Sequence, residues 1–176
     1  MVKIIKLWII IPLMLSCNSQ SRNISEGKES IPFNPGTLNN DFEAYKQIKG
    51  QLLYLPVYSN VPNQKDTVKF NMSAFVAIHN TDLFNKIVLS KVLYFNHEGR
   101  LVDDFLPNGI VSIPPLATKD FYIPYEDQSG TGANFLIEWS ADTLVNEPLI
   151  ESVTLSVKPN NSVAVLSQGK IMREKK

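Results

Sequence analysis

The sequence predicts an all-β protein, an antiparallel two-sheet immunoglobulin-like sandwich that forms a single domain. Two observations predict this class. About eight or nine short apolar or alternating stretches lie between residues 51 and 173, at the spacing of roughly 8–12 residues that is typical of sandwiches and barrels. Clusters of Pro, Gly, Asn and Asp separate these stretches, and none of them has a convincing helical period.

The first three strands are expected between residues 52 and 95. The strand 52–58 contains Pro56, which has no amide hydrogen to donate, so the strand should lie at an edge or break there. The strand 68–79 alternates most regularly, and its inward side chains are predicted to be Phe70, Met72, Ala74, Val76 and Ile78. In the strand 86–95, the side chains predicted to share one face are Ile87, Leu89, Leu93 and Phe95.

The later strands are bounded by turns in the same way. Asn96 to Gly99 is a hairpin loop, and the strands predicted after it are 101–106, 119–124, 135–139, 149–157 and 162–166, with shorter pieces at 111–113 and 170–172. In the strand 135–139, Phe135, Ile137 and Trp139 fall on one face, because side chains alternate along a strand. These three residues are expected at the centre of the core.

The N-terminus has the features of a secretory leader. Lys3 and Lys6 precede a short apolar run that ends at Ser16 and Cys17, and this run is shorter than the roughly 20 residues of a membrane-spanning helix. The segment 13–17 resembles a bacterial lipobox, in which the cysteine is diacylated and becomes the mature N-terminus. A plain signal peptide is the alternative. We expect a leader at 1–16, a flexible lipidated tether at 17–49 and a β-sandwich domain at 50–174.

Cysteine content and charge limit the function further. Cys17 is the only cysteine of the chain, so no internal disulfide can form. The 17 basic and 17 acidic residues balance, and two of the basic ones lie in the leader. The mature chain therefore carries a net charge of about minus two, without the clustered Lys and Arg of a nucleic-acid-binding protein. The absence of aspartate after Cys17 favours the outer membrane, facing the periplasm.

Several segments together resemble one bacterial exported family, DUF3124, for which no activity is established. In their order and spacing these segments are Tyr54–Ser59, Ile78–Asp82, Glu98–Val102, Pro115–Thr118, Ser129–Trp139 and Glu147–Val153. The resemblance covers residues 51 to 173, and Thr131 stands where the family more often has glycine. It implies an exported bacterial β-domain and supplies no catalytic residue.

The loop 127–134 is the candidate binding surface. It is polar and glycine-rich, which predicts a loop that does not pack, and its glycines permit a positive φ or a close backbone approach. The candidate surface residues are Asp127, Ser129, Gly130, Gly132, Asn134 and Glu138, with Tyr122 and Tyr125 nearby in sequence. Glu138 alternates with Ile137 and Trp139, so it should face solvent or a basic partner.

Catalytic and metal chemistry finds little support. His79 and His97 are the only imidazoles, and both are expected to be exposed with local hydrogen bonds, so no catalytic residue, metal site or cofactor is predicted. Glu126, Asp127 and Asn134 could offer oxygen ligands to calcium. A solvated turn in which Asp127 caps local amides is preferred.

Three functions remain. The first is a non-enzymatic module that binds a periplasmic protein or an envelope glycan through loops at one end of the sandwich. The second is an envelope hydrolase that uses carboxylates such as Asp127 and Glu138, which would need to lie about 5–10 Å apart in a cleft. The third is a structural subunit of an envelope complex, which a large exposed apolar patch would favour. The membrane is expected to be contacted through the lipid.

Overall fold

The computed structural model describes residues 30–36, 47–62, 69–159 and 161–175, and none of these residues lies in an α-helix. The all-β prediction is confirmed. Thirteen strands form: β1 (Ile31–Pro32), β2 (Lys49–Pro56), β3 (Asn60–Pro62), β4 (Lys69–Asn71), β5 (Ser73–His79), β6 (Ile87–Phe95), β7 (Arg100–Asp104), β8 (Val111–Ile113), β9 (Thr118–Ile123), β10 (Asn134–Ala141), β11 (Leu149–Ser156), β12 (Val163–Gln168) and β13 (Lys170–Lys175).

All strand pairings are antiparallel. The larger sheet has seven strands in the order β1-β7-β6-β10-β2-β13, with β8 also paired to β6. A second sheet has four strands in the order β12-β11-β5-β9, and β3 pairs with β4 in a two-stranded sheet. The chain passes from the second sheet to the first at Gly169, whose amide donates to the Ile150 carbonyl at 2.9 Å.

The two larger sheets share one hydrophobic core, so the chain is a single domain. Buried side chains from β2, β6, β8 and β10 meet those from β5, β9 and β11 in one cluster. Phe135, Ile137 and Trp139 of β10 are fully buried in it, as predicted. The indole N–H of Trp139 donates to Gln51 Oε1 at 3.2 Å, which satisfies its only polar group.

A β-bulge in β6 makes one predicted face wrong. The register between β6 and β10 shifts by one residue at Ser90, and such a shift moves all following side chains to the other face. Beyond the bulge, Val92 and Tyr94 therefore enter the shared core, while Leu93 and Phe95 belong to a smaller cluster on the outer face of the seven-stranded sheet.

Two other boundaries differ from the predictions. The predicted strand 68–79 breaks at Met72, whose amide donates to the Ser59 carbonyl at 2.8 Å instead of continuing the ladder. Part of the predicted tether is also ordered, because Ile31 and Pro32 pair with β7, and Phe33 stacks edge-on against Phe95 with ring centroids 4.9 Å apart.

The leader, Cys17 and most of the tether lie outside the described residues, and the predictions for them stay predictions. Where the structure describes the chain, it contains no helix long and apolar enough to span a membrane.

The strands of both large sheets run between two ends of the domain. The proximal end is where β2 begins at Lys49, beside the end of β10 and the start of β6. The end of β5 lies there too, because Asn80 donates to the Ile113 carbonyl and Ile113 pairs with Ile87 at the start of β6. The distal end is where β2 and β6 finish and β10 begins. The eight residues of β10 separate the two ends by roughly 27 Å at about 3.4 Å per residue.

Candidate functional site: the distal loop

The loop 127–134, here called the distal loop, lies between β9 and β10 at the distal end. It contacts the residues that follow β2 and the hairpin that follows β6. The Val57 amide donates to the Ala133 carbonyl, and the His97 amide donates to the Ser129 carbonyl, both at 2.9 Å. Asp127, Ser129, Gly130 and Ala133 are buried. The expectation that this loop does not pack is therefore wrong.

Asp127 is the organising side chain of the loop. Its Oδ2 accepts a hydrogen bond from the Tyr94 hydroxyl at 2.7 Å and another from the Ser129 amide at 3.0 Å. Its Oδ1 accepts from the Ser129 hydroxyl at 3.0 Å. The predicted capping of a local amide is confirmed. The predicted solvation is wrong, because Asp127 is only 8% exposed and protein donors replace water.

Tyr94 supports this carboxylate from inside the core. It is fully buried, and its ring lies 4.9 Å from that of Phe135. Burial, reinforced by the negative charge of Asp127, raises the pKa of the Tyr94 phenol well above its ordinary value. The hydroxyl therefore stays protonated and remains a hydrogen-bond donor to Asp127.

Gly130 is held by a second set of contacts. Its amide donates to Ser59 Oγ at 2.7 Å, and the Ser59 hydroxyl donates back to the Gly130 carbonyl at 3.2 Å. Its φ is +98°, and a Cβ at this position would lie 2.7 Å from His97 Nδ1. Glycine is required here because a side chain would be both strained and too close to the imidazole.

The rest of the distal loop faces water. Gln128, Thr131 and Gly132 are exposed, and Asn134 is half-buried. The side-chain amide of Asn134 donates to the Gly132 carbonyl at 3.3 Å. Tyr125, just before the loop, is 38% exposed. The residues of the distal loop thus divide into a buried set that holds the loop, which includes the predicted Asp127, Ser129 and Gly130, and a more exposed set that offers neutral hydrogen-bonding groups.

Glu138 lies away from this surface. As predicted, it is on the outer face of the seven-stranded sheet, opposite Ile137 and Trp139. It is nevertheless fully buried, so the solvent alternative is wrong. Its Oε2 accepts from the Ser90 hydroxyl at 2.7 Å, and Lys91 is its register partner on β6. Cross-strand register partners have close Cβ atoms, which fits the alternative of a basic partner.

The two carboxylates of the hydrolase hypothesis do not meet. Asp127 bonds to Tyr94, which belongs to the shared core on the inner face, whereas Glu138 is on the outer face of the same sheet. A glycosidase pair needs both groups about 5–10 Å apart on either side of one bond. Asp127 and Glu138 are therefore not such a pair.

The two histidines are hydrogen-bonded to neighbouring elements of the fold. His97 is exposed, and its Nδ1 is 3.0 Å from the Ser129 carbonyl oxygen. His79 is half-buried, with Nδ1 2.8 Å from the Thr118 hydroxyl. Within the ranges that the structure describes, no three His, Cys, Asp or Glu side chains are grouped to hold a metal ion. Both Asp127 oxygens already accept protein hydrogen bonds, which disfavours the calcium alternative.

Sequence reasoning missed the residues that hold the distal loop from other strands. Ser59, Tyr94 and His97 all contact it, yet the nearest of them is 30 or more positions away along the chain. Tyr94 could have been suspected because it is a polar aromatic residue near the end of a buried strand. The bulge at Ser90 prevented this prediction, because simple alternation assigned Tyr94 to the outer face.

Comparison with known proteins gives one family and one solved structure. The sequence profile of the family described as "Protein of unknown function (DUF3124)" matches residues 50–172. A solved structure titled "Crystal Structure of Thermotoga maritima 1070" is 10% identical, with a TM-score of 0.41, and the match covers 68% of this chain and 92% of that chain. No protein with a curated description matches the sequence.

Proposed function

The chain belongs to the DUF3124 family of proteins of unknown function, and we propose that it is a lipid-anchored, non-enzymatic binding module of the bacterial cell envelope. Cys17 is the lipidated residue, and the mature protein is held in the outer membrane facing the periplasm. Its partner is a periplasmic protein or an envelope glycan, which it contacts through the distal loop.

The rigid attachment of an exposed polar loop is the observation that carries this proposal. Asp127 and Gly130 are fixed by buried hydrogen bonds, while Gln128 and Thr131 beside them face water. Loops on a rigid β-scaffold commonly carry binding residues. Ordering the loop before contact also lowers the entropy that binding would otherwise cost.

The anchor is supported by the sequence of the N-terminus. A basic and apolar leader ends at the single cysteine, and no disulfide partner competes for that thiol. Two chains on sulfur together with an N-terminal acyl group give stable membrane attachment without a spanning helix.

The engagement of the candidate catalytic side chains with other protein groups supports a non-enzymatic role. The carboxylates considered for hydrolysis lie on opposite faces of a sheet, and both histidines are engaged by neighbouring polar groups. The side chains that converge at the distal loop are a carboxylate, a phenol and hydroxyls whose hydrogen bonds fix the backbone. This arrangement orders a surface and activates no nucleophile.

We also propose that the two larger sheets are the layers of an immunoglobulin-like sandwich. Their antiparallel pairing and shared core support this class. In such a sandwich the connecting loops gather at the two ends, which places the distal loop beside the hairpin 96–99.

Photo-crosslinking in living cells tests the binding role. A photoreactive amino acid is introduced at exposed Thr131 and, as the control, at exposed Asp120 on β9. We expect crosslinked species from position 131 alone. A discrete adduct indicates a protein partner, and a high-mass smear removed by a muramidase indicates a glycan. Equal crosslinking at both positions, or none at 131, would contradict a binding role for the distal loop.

A further inference from the structure

The proximal end carries a group of exposed apolar side chains. They come from the residue before β2 and from three loops, those after β5, β8 and β10. Their exposed fractions are Ile48 45%, Leu83 60%, Phe84 84%, Leu116 67% and Leu144 75%. We call this group the apolar tip. Single exposed apolar residues are ordinary, but several at one end of a domain indicate an interaction site.

Asp82 joins the three loops of the apolar tip. Its Oδ1 accepts from the Phe84 amide at 2.9 Å, and its Oδ2 accepts from the Asn146 amide at 2.9 Å. Its backbone carbonyl accepts from the Leu116 amide at 3.2 Å. Each of these amides belongs to, or lies two residues from, an exposed residue of the tip. The tip is therefore held together by the fold.

Asn80 holds two of these loops, those after β5 and β8, in place. It is 2% exposed, and its side-chain amide donates to the carbonyls of Asn85, Ile113 and Pro114 at 2.9–3.1 Å. Its Oδ1 accepts from the Asp82 amide at 3.0 Å. Two buried polar side chains thus fix the position of loops whose outermost residues are apolar.

Leu116 adds an independent observation. It is the only non-glycine residue with positive φ in the ranges that the structure describes, at +57°. The Ala117 amide donates to the Pro114 carbonyl at 3.1 Å, so Leu116 is the third residue of a tight turn after two prolines. Glycine or asparagine is preferred at that position. An exposed leucine that is kept in an unfavourable conformation points to a function.

The length of the chain before β1 allows the tip to reach the membrane that holds the proposed lipid anchor. Ile31 pairs with Leu101 and Pro32 with Arg100 beside the hairpin 96–99, so Ser30 lies near the distal end, opposite the tip. The twelve residues between Cys17 and Ser30, about thirteen Cα-to-Cα steps, reach at most about 45 Å, which exceeds the roughly 27 Å length of the sheet. A lipid on Cys17 can therefore place the proximal end at the membrane.

We infer that the apolar tip inserts into the interfacial region of the bilayer that holds the lipid anchor. This inference rests on the proposed lipid anchor and adds a second, protein-mediated contact to it. Apolar side chains on a preformed surface bury into the boundary between headgroups and acyl chains. The contact orients the domain, so that the distal loop points into the periplasm, roughly 27 Å from the bilayer surface.

An environment-sensitive dye tests this contact. The full chain is produced with its own leader in a bacterial host and reconstituted in vesicles of phosphatidylethanolamine and phosphatidylglycerol. A lipidated Cys17 has no free thiol, so Leu144→Cys supplies the only site for a maleimide dye. Val157→Cys is the control, because Val157 is 78% exposed and follows β11 at the distal end.

We expect the dye at position 144 to emit at shorter wavelength and to lose roughly half or more of its emission to lipids spin-labelled near the headgroup. The dye at 157 should behave as in water. Adding Phe84→Asn and Leu116→Asn to the Leu144→Cys protein should return its emission to that of the control. Circular dichroism confirms that each variant is folded.

Equal emission at 144 and 157 in these vesicles would overturn the inference. Shielding of position 144 in native membranes but not in pure lipid would assign the tip to a protein partner and would overturn it as well. Failure of the anchor itself gives a different result. The wild-type protein would then react with the maleimide at Cys17, which contradicts the proposed function.

Discussion

The Tyr94 hydroxyl donates to Asp127 Oδ2 at 2.7 Å across the boundary between the core and the distal loop. Both side chains are buried, so neither can exchange this partner for water without opening the domain. The hydrogen bond therefore couples the order of the loop to the stability of the core. A mutation of Tyr94 should therefore reduce the order of the distal loop. A mutation of Asp127 should lower the free energy of unfolding of the domain.

Tyr94→Phe should lower the free energy of unfolding by about 1.5–3 kcal/mol, because a buried carboxylate loses a hydrogen-bond donor. Tyr122→Phe removes the same atom from a residue that is 42% exposed and should change stability by less than about 0.5 kcal/mol. Urea unfolding of both variants measures the difference. Equal effects would show that the Tyr94 hydroxyl has no special role.

Gly130→Ala should destabilise the protein by about 1–3 kcal/mol, because residue 130 has a φ of +98° and L-residues are strained there. Gly132→Ala is the matched control, since its Cβ would lie in ordinary contact, 3.4 Å from His97 Cβ. Adding His97→Ala to Gly130→Ala should restore only a part of the lost stability. The second substitution removes the close contact between the Cβ of residue 130 and the imidazole but leaves the backbone strain at residue 130. Full restoration would contradict the backbone argument. Thermal unfolding compares the variants.

Asp82 predicts a loss of stability in acid. Hydrogen bonds from the amides of Asn146, Phe84 and Asn85 lower the pKa of Asp82 from 3.8 to about 2. Because the folded-state pKa is depressed, this stabilisation is complete above the ordinary pKa and is lost as the pH falls from about 4 to about 2. Wild type should therefore lose its stability advantage over Asp82→Asn across that interval. If the difference in free energy of unfolding between the two proteins stayed the same at every pH, the lowered pKa of Asp82 would be contradicted.

Leu116→Asn should leave the free energy of unfolding unchanged or raise it by up to about 1 kcal/mol, because asparagine tolerates a positive φ better than leucine. Leu144→Asn removes a similar exposed side chain without that relief and serves as the control. Chemical denaturation of the two variants gives the comparison. A loss of more than about 1 kcal/mol for Leu116→Asn would mean that Leu116 stabilises the fold.

Local alternation was sufficient to predict the central strand and the positions of most of the other long strands. Phe135, Ile137 and Trp139 are buried as expected, because period two depends only on neighbouring residues. The break after Pro56 also followed from one missing donor. The bulge at Ser90 could not be predicted in this way, since it depends on the register between β6 and β10.

The position of the distal loop was predicted from the sequence, but its packing was not. Glycine content and polarity predicted a loop that does not pack, whereas Asp127 and Ser129 are buried. Their burial depends on Tyr94 and Ser59 from other strands, and composition carries no information about such distant donors. The hydrogen bond that Asp82 accepts from the Asn146 amide likewise spans 64 positions. Alternation and turn chemistry depend on neighbouring residues, so they cannot predict such long-range hydrogen bonds.

Intact-mass spectrometry of the protein extracted from its native membrane tests the central claim, the lipid anchor on Cys17, most directly. We predict that residues 1–16 are absent and that the chain begins at Cys17 with the added mass of a diacylglyceryl group and an N-terminal acyl chain. The Cys17→Ser protein should lack this added mass. A mature wild-type chain with an unmodified Cys17 thiol, or one that retains its leader, would contradict the account.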